Sequence, residues 1–196
     1  MEMGVREMPG VEYLEAYMGR VQAVLATVDA GAMELFATRI DDTVASGCQV
    51  FFIGNGGSAS TASHYVNDLV MAYSRTNRVV RAVCLTDNPS LVTGISNDFS
   101  FEEIFSYQLR ALSRPGDMVV AISASGNSPN LIRAFDFARS SGLTTAAVVG
   151  FDGGILKAVA DLTIHAPTEM GDYGPAEDAH LIINHAVAGL IRARGE

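Results

Sequence analysis

Apolar residues recur every three to four positions across residues 11–28, at Val11, Leu14, Met18, Val21, Leu25 and Val28. The pattern repeats over 32–44 with Met33, Phe36, Ile40 and Val44, so two helices precede anything strand-like. Five short apolar blocks follow, at 50–53, 79–85, 118–122, 144–149 and 162–166, each bounded by turn-forming residues and each read as a strand. Helical patterns separate them. One opens at Ser58, and a short one carries Leu91, Val92 and Ile95. After a break at Ser96-Asn97-Asp98 another spans about 101–112, then one carries Leu131, Ile132, Phe135 and Ala138 and closes at Gly142. A short helix starts at Gly153-Gly154, and a long one from Pro175 carries Leu181, Ile182, Ile183, Val187, Leu190 and Ile191, with Arg192 and Arg194 at its cation-favouring end.

The strands are apolar throughout rather than alternating, as in a parallel sheet covered on both faces. Strands alternating with helices predict an α/β fold, a three-layer doubly wound five-stranded parallel sheet with extra N-terminal helices. One domain over 1–196 is expected, with the helices in 1–46 and the α/β core in 47–196. The leading helices are expected across the sheet end or against another subunit.

Ligands of such sheets bind beyond the carboxyl ends of the strands, where this chain places two polar loops. The first, Gly54-Asn55-Gly56-Gly57-Ser58, lacks the G-x-G-x-x-G spacing and a suitably placed ribose-binding acid, which excludes a dinucleotide fingerprint. It is either an anion cradle at a helix start or a tight turn with Ser58 as an ordinary cap. The second, residues 123–129, sets Ser123, Ser125 and Ser128 around Ala124, Gly126 and Asn127 before Pro129. Capping accounts for Ser128 alone. Three hydroxyls on a neighbouring loop favour a phosphate held by hydroxyls and backbone N–H groups.

Charge sharpens this picture. The 196 residues carry a formal net charge of −9, with thirteen Lys plus Arg, against a nucleic-acid or anionic-membrane surface. Lys157 is the one lysine, which removes P-loop and Schiff-base chemistry unless it happens to lie in the site. Cys48 and Cys84 lack metal or disulfide spacing and read as small hydrophobes of a reducing compartment. With no signal-like N-terminus and no uncharged apolar run of spanning length, a cytoplasmic location is expected.

His64 and Asp68 stand four residues apart on the helix after the first loop, hence on one face. Glu177 and His185 lie two turns apart on the terminal helix. Two such helices would offer two imidazoles and two carboxylates to one divalent ion, or simply two hydrophilic faces. His165 and His180 read as structural.

GNGGS with the helical His64, Asn97-Asp98-Phe99, SASGNS at 123–128, GFDGG at 150–154 and Glu177…His185 together resemble the SIS (sugar isomerase) domain family. Within it the chain is similar to the phosphoheptose isomerases, which interconvert sedoheptulose 7-phosphate and D-glycero-D-manno-heptose 7-phosphate in heptose biosynthesis. The resemblance implies substrate phosphate on Ser123, Ala124, Ser125 and Ser128 with Ser58 nearby, and sugar near Asn55, Gly56, Gly57, Asn97, Asp98 and Glu177. It implies Zn²⁺ or another divalent metal on His64, Asp68, Glu177 and His185, and catalysis by Asp68 or Glu177 with His185. It also implies a homotetramer with the site at a subunit interface. The usual type has Glu where this chain has Asp68, and Gln where it has Glu177. Other readings are isomerisation of a different phosphosugar, or a non-catalytic SIS protein of the replication-initiator-associating kind.

Overall fold

The computed structural model describes residues 10–195. Helices α1 (Gly10–Leu25) and α2 (Ala30–Ala45) lead into β1 (Gln49–Gly54), α3 (Gly57–Ala72), β2 (Arg81–Cys84) and α4 (Pro89–Asp98). A 3-10 turn (Phe101–Glu103), α5 (Ser106–Leu112), β3 (Met118–Ser123), α6 (Pro129–Ser140) and β4 (Thr144–Val149) follow, then α7 (Gly154–Val159), β5 (Leu162–His165) and α8 (Tyr173–Gly195). The five strands form one parallel sheet in the order β2-β1-β3-β4-β5. This is the doubly wound α/β architecture expected, and the strand order reverses between β1 and β3.

Alternate strand residues feed the two faces. Val50, Phe52, Val120, Ile122 and Val148 meet α2, α3 and α8 through Phe36, Ile40, Tyr65, Leu69 and Ile183. Phe51, Ile53, Val119, Ala121 and Val149 meet the other layer through Ile95, Leu109, Leu131, Phe135 and Leu156. Helix α2 thus belongs to a covering layer rather than to the sheet end. Helix α1 lies outside that layer against α8, with Val24 its one buried residue.

Three boundaries differ from the sequence reading. The edge strand β2 is shorter and half-exposed, with Val79 in solvent, because only one neighbour pairs with it. Helix α4 runs through Ser96-Asn97-Asp98 and stops at Phe99. The pattern at 101–112 is interrupted at Ile104-Phe105, both of which turn into the core. Cys84 is buried and Cys48 half-buried, both as free thiols. Among the described residues no single helix is long and apolar enough to cross a membrane. The bent pair α1 and α2 reaches that length and apolarity together, but α2 buries its apolar face on the sheet.

His180 is fully buried in α8, and neither ring nitrogen makes a hydrogen bond of ordinary geometry. Burial pushes its pKa down to about 4, against an upward pull from the Val149 backbone and with a further downward push from His165. The unfolded chain takes up this proton below about pH 6.5, while the fold resists it until about pH 4. Stability present above pH 6.5 is therefore expected to fall toward pH 4, by up to about 1.4 kcal/mol per pH unit from this group. Urea denaturation at pH 7, 6 and 5 measures the slope, and His180→Leu is expected to remove its share.

Candidate active site

The two polar loops leave the carboxyl ends of β1 and β3, the adjacent strands at the reversal. In the first, Gly56 adopts φ +53° and α3 begins at Gly57, with no side-chain cap. Ser58 sits inside the first helical turn and is buried, which removes its reading as an ordinary cap. In the second, Ser128 occupies the N-cap of α6 with Pro129 behind it, as expected, but its hydroxyl makes no capping bond. Ser58, Ser123, Ala124, Ser125 and Ser128 line one small cavity of about 130 Å³ with Asn55, Tyr173 and Glu177.

Hydrogen bonds hold this cavity in shape. Ser123 Oγ accepts from the Gly126 amide at 3.0 Å, and Ser125 Oγ from the Asn127 amide at 3.3 Å. Each hydroxyl keeps its own proton to donate. Asn55 and Asn130 exchange reciprocal amide bonds of 2.9 Å, tying the first loop to α6. The GFDGG segment supports the seryl loop from behind. Ile155 N donates to Asn127 Oδ1 and Leu156 N to the Gly126 carbonyl, both at 3.0 Å. Gly126 has φ +63°, and a Cβ there would run into the Gly153 carbonyl. Among the described residues no arginine or lysine lines the cavity. An anion placed in it would meet hydroxyls and the N–H groups of two helix starts.

The second feature lies along α3 and α8. His64 Nε2 stands 3.2 Å from His185 Nε2 and 3.3 Å from Asp68 Oδ2, and His185 Nε2 stands 3.7 Å from the same oxygen. Asn184 Nδ2 donates to that oxygen at 2.8 Å, and Asn67 Nδ2 donates to Asp68 Oδ1 at 3.0 Å. Among the described residues these three are the group able to hold a metal ion. Ligands of a tetrahedral zinc ion with bonds of about 2.0–2.1 Å lie roughly 3.3 Å apart, so the donor set fits such an ion on three sides and leaves its remaining position open. The bond from Asn184 is of the outer kind that would orient this carboxylate as a ligand.

Glu177 falls outside this group. Its carboxylate rests against Gly57, where any side chain would collide with it, so it faces the seryl cavity. Asn97 and Asp98 are exposed at the end of α4, bonded to each other, and line neither feature. Beside His64 a broader cleft of about 530 Å³ is lined by Ser60, Ser63, Asn67, Thr86 and Asp87, with Ser63 Oγ donating to Asp87 Oδ2 at 3.3 Å. Asn130, Tyr173 and Asn184 escaped the sequence reading. Asn184 adjoins His185, and Asn130 extends the seryl motif, whereas nothing local marks Tyr173.

Residues 12–150 match the SIS domain family. The chain belongs to the SIS domain family. This SIS-domain chain is 36% identical to the phosphoheptose isomerase of Paramagnetospirillum magneticum over 92% of its length and 95% of the relative's. It is 37% identical to that of Trichlorobacter lovleyi over 91% and 89%. Among solved structures, the phosphoheptose isomerase of Neisseria gonorrhoeae superimposes with a TM-score of 0.82 at 28% identity, covering 93% of this chain and 96% of that one.

Proposed function

We propose that this SIS-domain chain is an aldose-ketose isomerase that interconverts sedoheptulose 7-phosphate and D-glycero-D-manno-heptose 7-phosphate. The observation that carries this reading is a seryl anion cavity at the start of α3, about one and a half turns before the His64 and Asp68 that meet His185 of α8. A phosphosugar enters with its phosphate on Ser123, Ser125, Ser128 and Ser58. Six residues separate Ser58 from His64, about 9 Å along the helix axis. That is the reach of a seven-carbon chain held by its phosphorylated end, which lays the carbonyl end near the donor set.

The reaction moves one carbon-bound proton between C1 and C2 and one proton between the two oxygens. His64, Asp68 and His185 would hold the divalent ion, zinc or a similar metal. When bound it polarises the carbonyl and offsets charge on the enediolate. Asp68 is the better placed base, because it stands at the donor set while Glu177 faces the phosphate end. Asp68 keeps a fixed orientation through Asn67 and Asn184. His185, whose Nε2 belongs to the donor set, keeps Nδ1 for the proton on the oxygens. A binding-only role requires none of these groups.

Two observations shape the remaining choices. Glu177 puts a carboxylate in a cavity that no cation lines among the described residues, which keeps a different phosphosugar as the second reading. Asn97 and Asp98 are exposed and do not line their own cavity, and Val11, Leu14 and Met18 form an exposed apolar stripe on α1. Both fit a homotetramer in which one copy's α4 end reaches another copy's sugar.

The test is turnover of sedoheptulose 7-phosphate by metal-replete protein, beside a panel of other sugar phosphates. Chelation is expected to abolish activity and added zinc to restore it. No turnover on any member, with metal bound, overturns the reading.

A further inference from the structure

The chain's sole lysine is committed to one partner. Lys157 extends from α7 with its stem across Gly153, and its Nζ lies 3.1 Å from His165 Nδ1. The other ring nitrogen of His165, Nε2, lies 2.9 Å from the Phe151 carbonyl oxygen. These partners fix the imidazole proton. An ammonium only donates and a carbonyl only accepts, so Nδ1 is bare and Nε2 carries the hydrogen.

Phe151 needs such support. It is the one non-glycine residue with positive φ among the described residues, at +42°, a conformation kept only where its surroundings hold it. Its amide donates to Thr168 Oγ1 at 3.3 Å. Its ring is buried with Ala124 and Ala176 and meets Tyr173 edge-on, with centroids 5.0 Å apart. Ala124 and Tyr173 line the seryl cavity.

We propose that Lys157 and His165 are positioning residues for the anion pocket: the ammonium selects the His165 tautomer, the imidazole holds the Phe151 carbonyl, and Phe151 sets the wall made by Ala124 and Tyr173. The inference rests on the reading of that cavity as the phosphate subsite. Neither residue touches the ligand. Their loss therefore loosens phosphate binding and leaves the proton transfers, some distance along α3, unchanged.

The experiment compares wild type with Lys157→Met, Lys157→Arg and His165→Leu, reading inorganic phosphate binding by calorimetry and KM against kcat for sedoheptulose 7-phosphate. Lys157→Met and His165→Leu are expected to raise the phosphate Kd and the KM about five- to tenfold, the scale of one hydrogen bond, with kcat within about twofold. Lys157→Arg keeps a donor and is expected to restore most of the affinity. Histidine nitrogen shifts by NMR are expected to report the Nε2–H tautomer in wild type and a mixture in Lys157→Met. Phosphate affinity indifferent to both substitutions, or a wild-type Nδ1–H tautomer, overturns this inference alone. A wild-type protein that binds no phosphate removes the pocket reading itself, and with it this proposal.

Discussion

Asp68→Asn is expected to lower kcat on sedoheptulose 7-phosphate by about 10²–10⁴-fold, the range for loss of a positioned acid or base. The substitution keeps the volume of the side chain and leaves a carbonyl for Asn184 to meet. It removes the oxygen proposed as base and weakens the oxygen donor that lies beside His64 and His185. The melting temperature is expected to stay within a few degrees, because the side chain lies at the rim of the helix pair rather than in a core cluster. Glu177→Gln is the contrast. Its carboxylate faces the seryl cavity, so the neutral amide is expected to keep kcat within about tenfold and to improve phosphate binding by removing a like charge. Steady-state kinetics of the two variants, with metal content measured on each, decide between the carboxylates. A dead Glu177→Gln beside an active Asp68→Asn reverses the assignment.

Gly126→Ala is expected to be the most damaging single methyl in the molecule outside the strands. At φ +63° a Cβ is strained whatever the space, and here the space is taken by the Gly153 carbonyl. Left-handed strain and forced separation of the loops together cost about 2–5 kcal/mol. That lowers the melting temperature by roughly 5–15 °C at this chain length. The same displacement breaks the bonds from Ile155 and Leu156 that hold the seryl loop, so KM is expected to rise more than about tenfold in whatever protein remains folded. Calorimetry and KM measured on one preparation check both halves. A variant with wild-type stability would show that the two loops separate freely.

The apolar blocks and glycine breaks made the strand, turn and helix around residues 50–69 legible, because backbone freedom and burial act locally there. The four-residue spacing of His64 and Asp68 put both on one face for the same reason, and they meet at 3.3 Å. Glu177 and His185 are eight residues apart, about 80° of helical rotation, which is enough to send one to the seryl cavity and the other to His64. The approximate two-turn spacing hid that difference. The Asn130 and Asn184 bonds join segments 75 and 116 residues apart, a distance over which hydrophobic periodicity carries no information. The end of α4 was misplaced because polar Ser96-Asn97-Asp98 reads as a break, while Asn88 and Pro89 set a helix start strong enough to run through it.

The reciprocal amide pair between Asn55 and Asn130 also bears on how the protein ages. Asn55 precedes Gly56, and an asparagine before glycine is the arrangement most prone to cyclise onto the next nitrogen and lose its ammonia. While both amide atoms of Asn55 are engaged that chemistry is slow. The spontaneous deamidation rate at this one position becomes a clock for how often the crevice between the two central strands comes open.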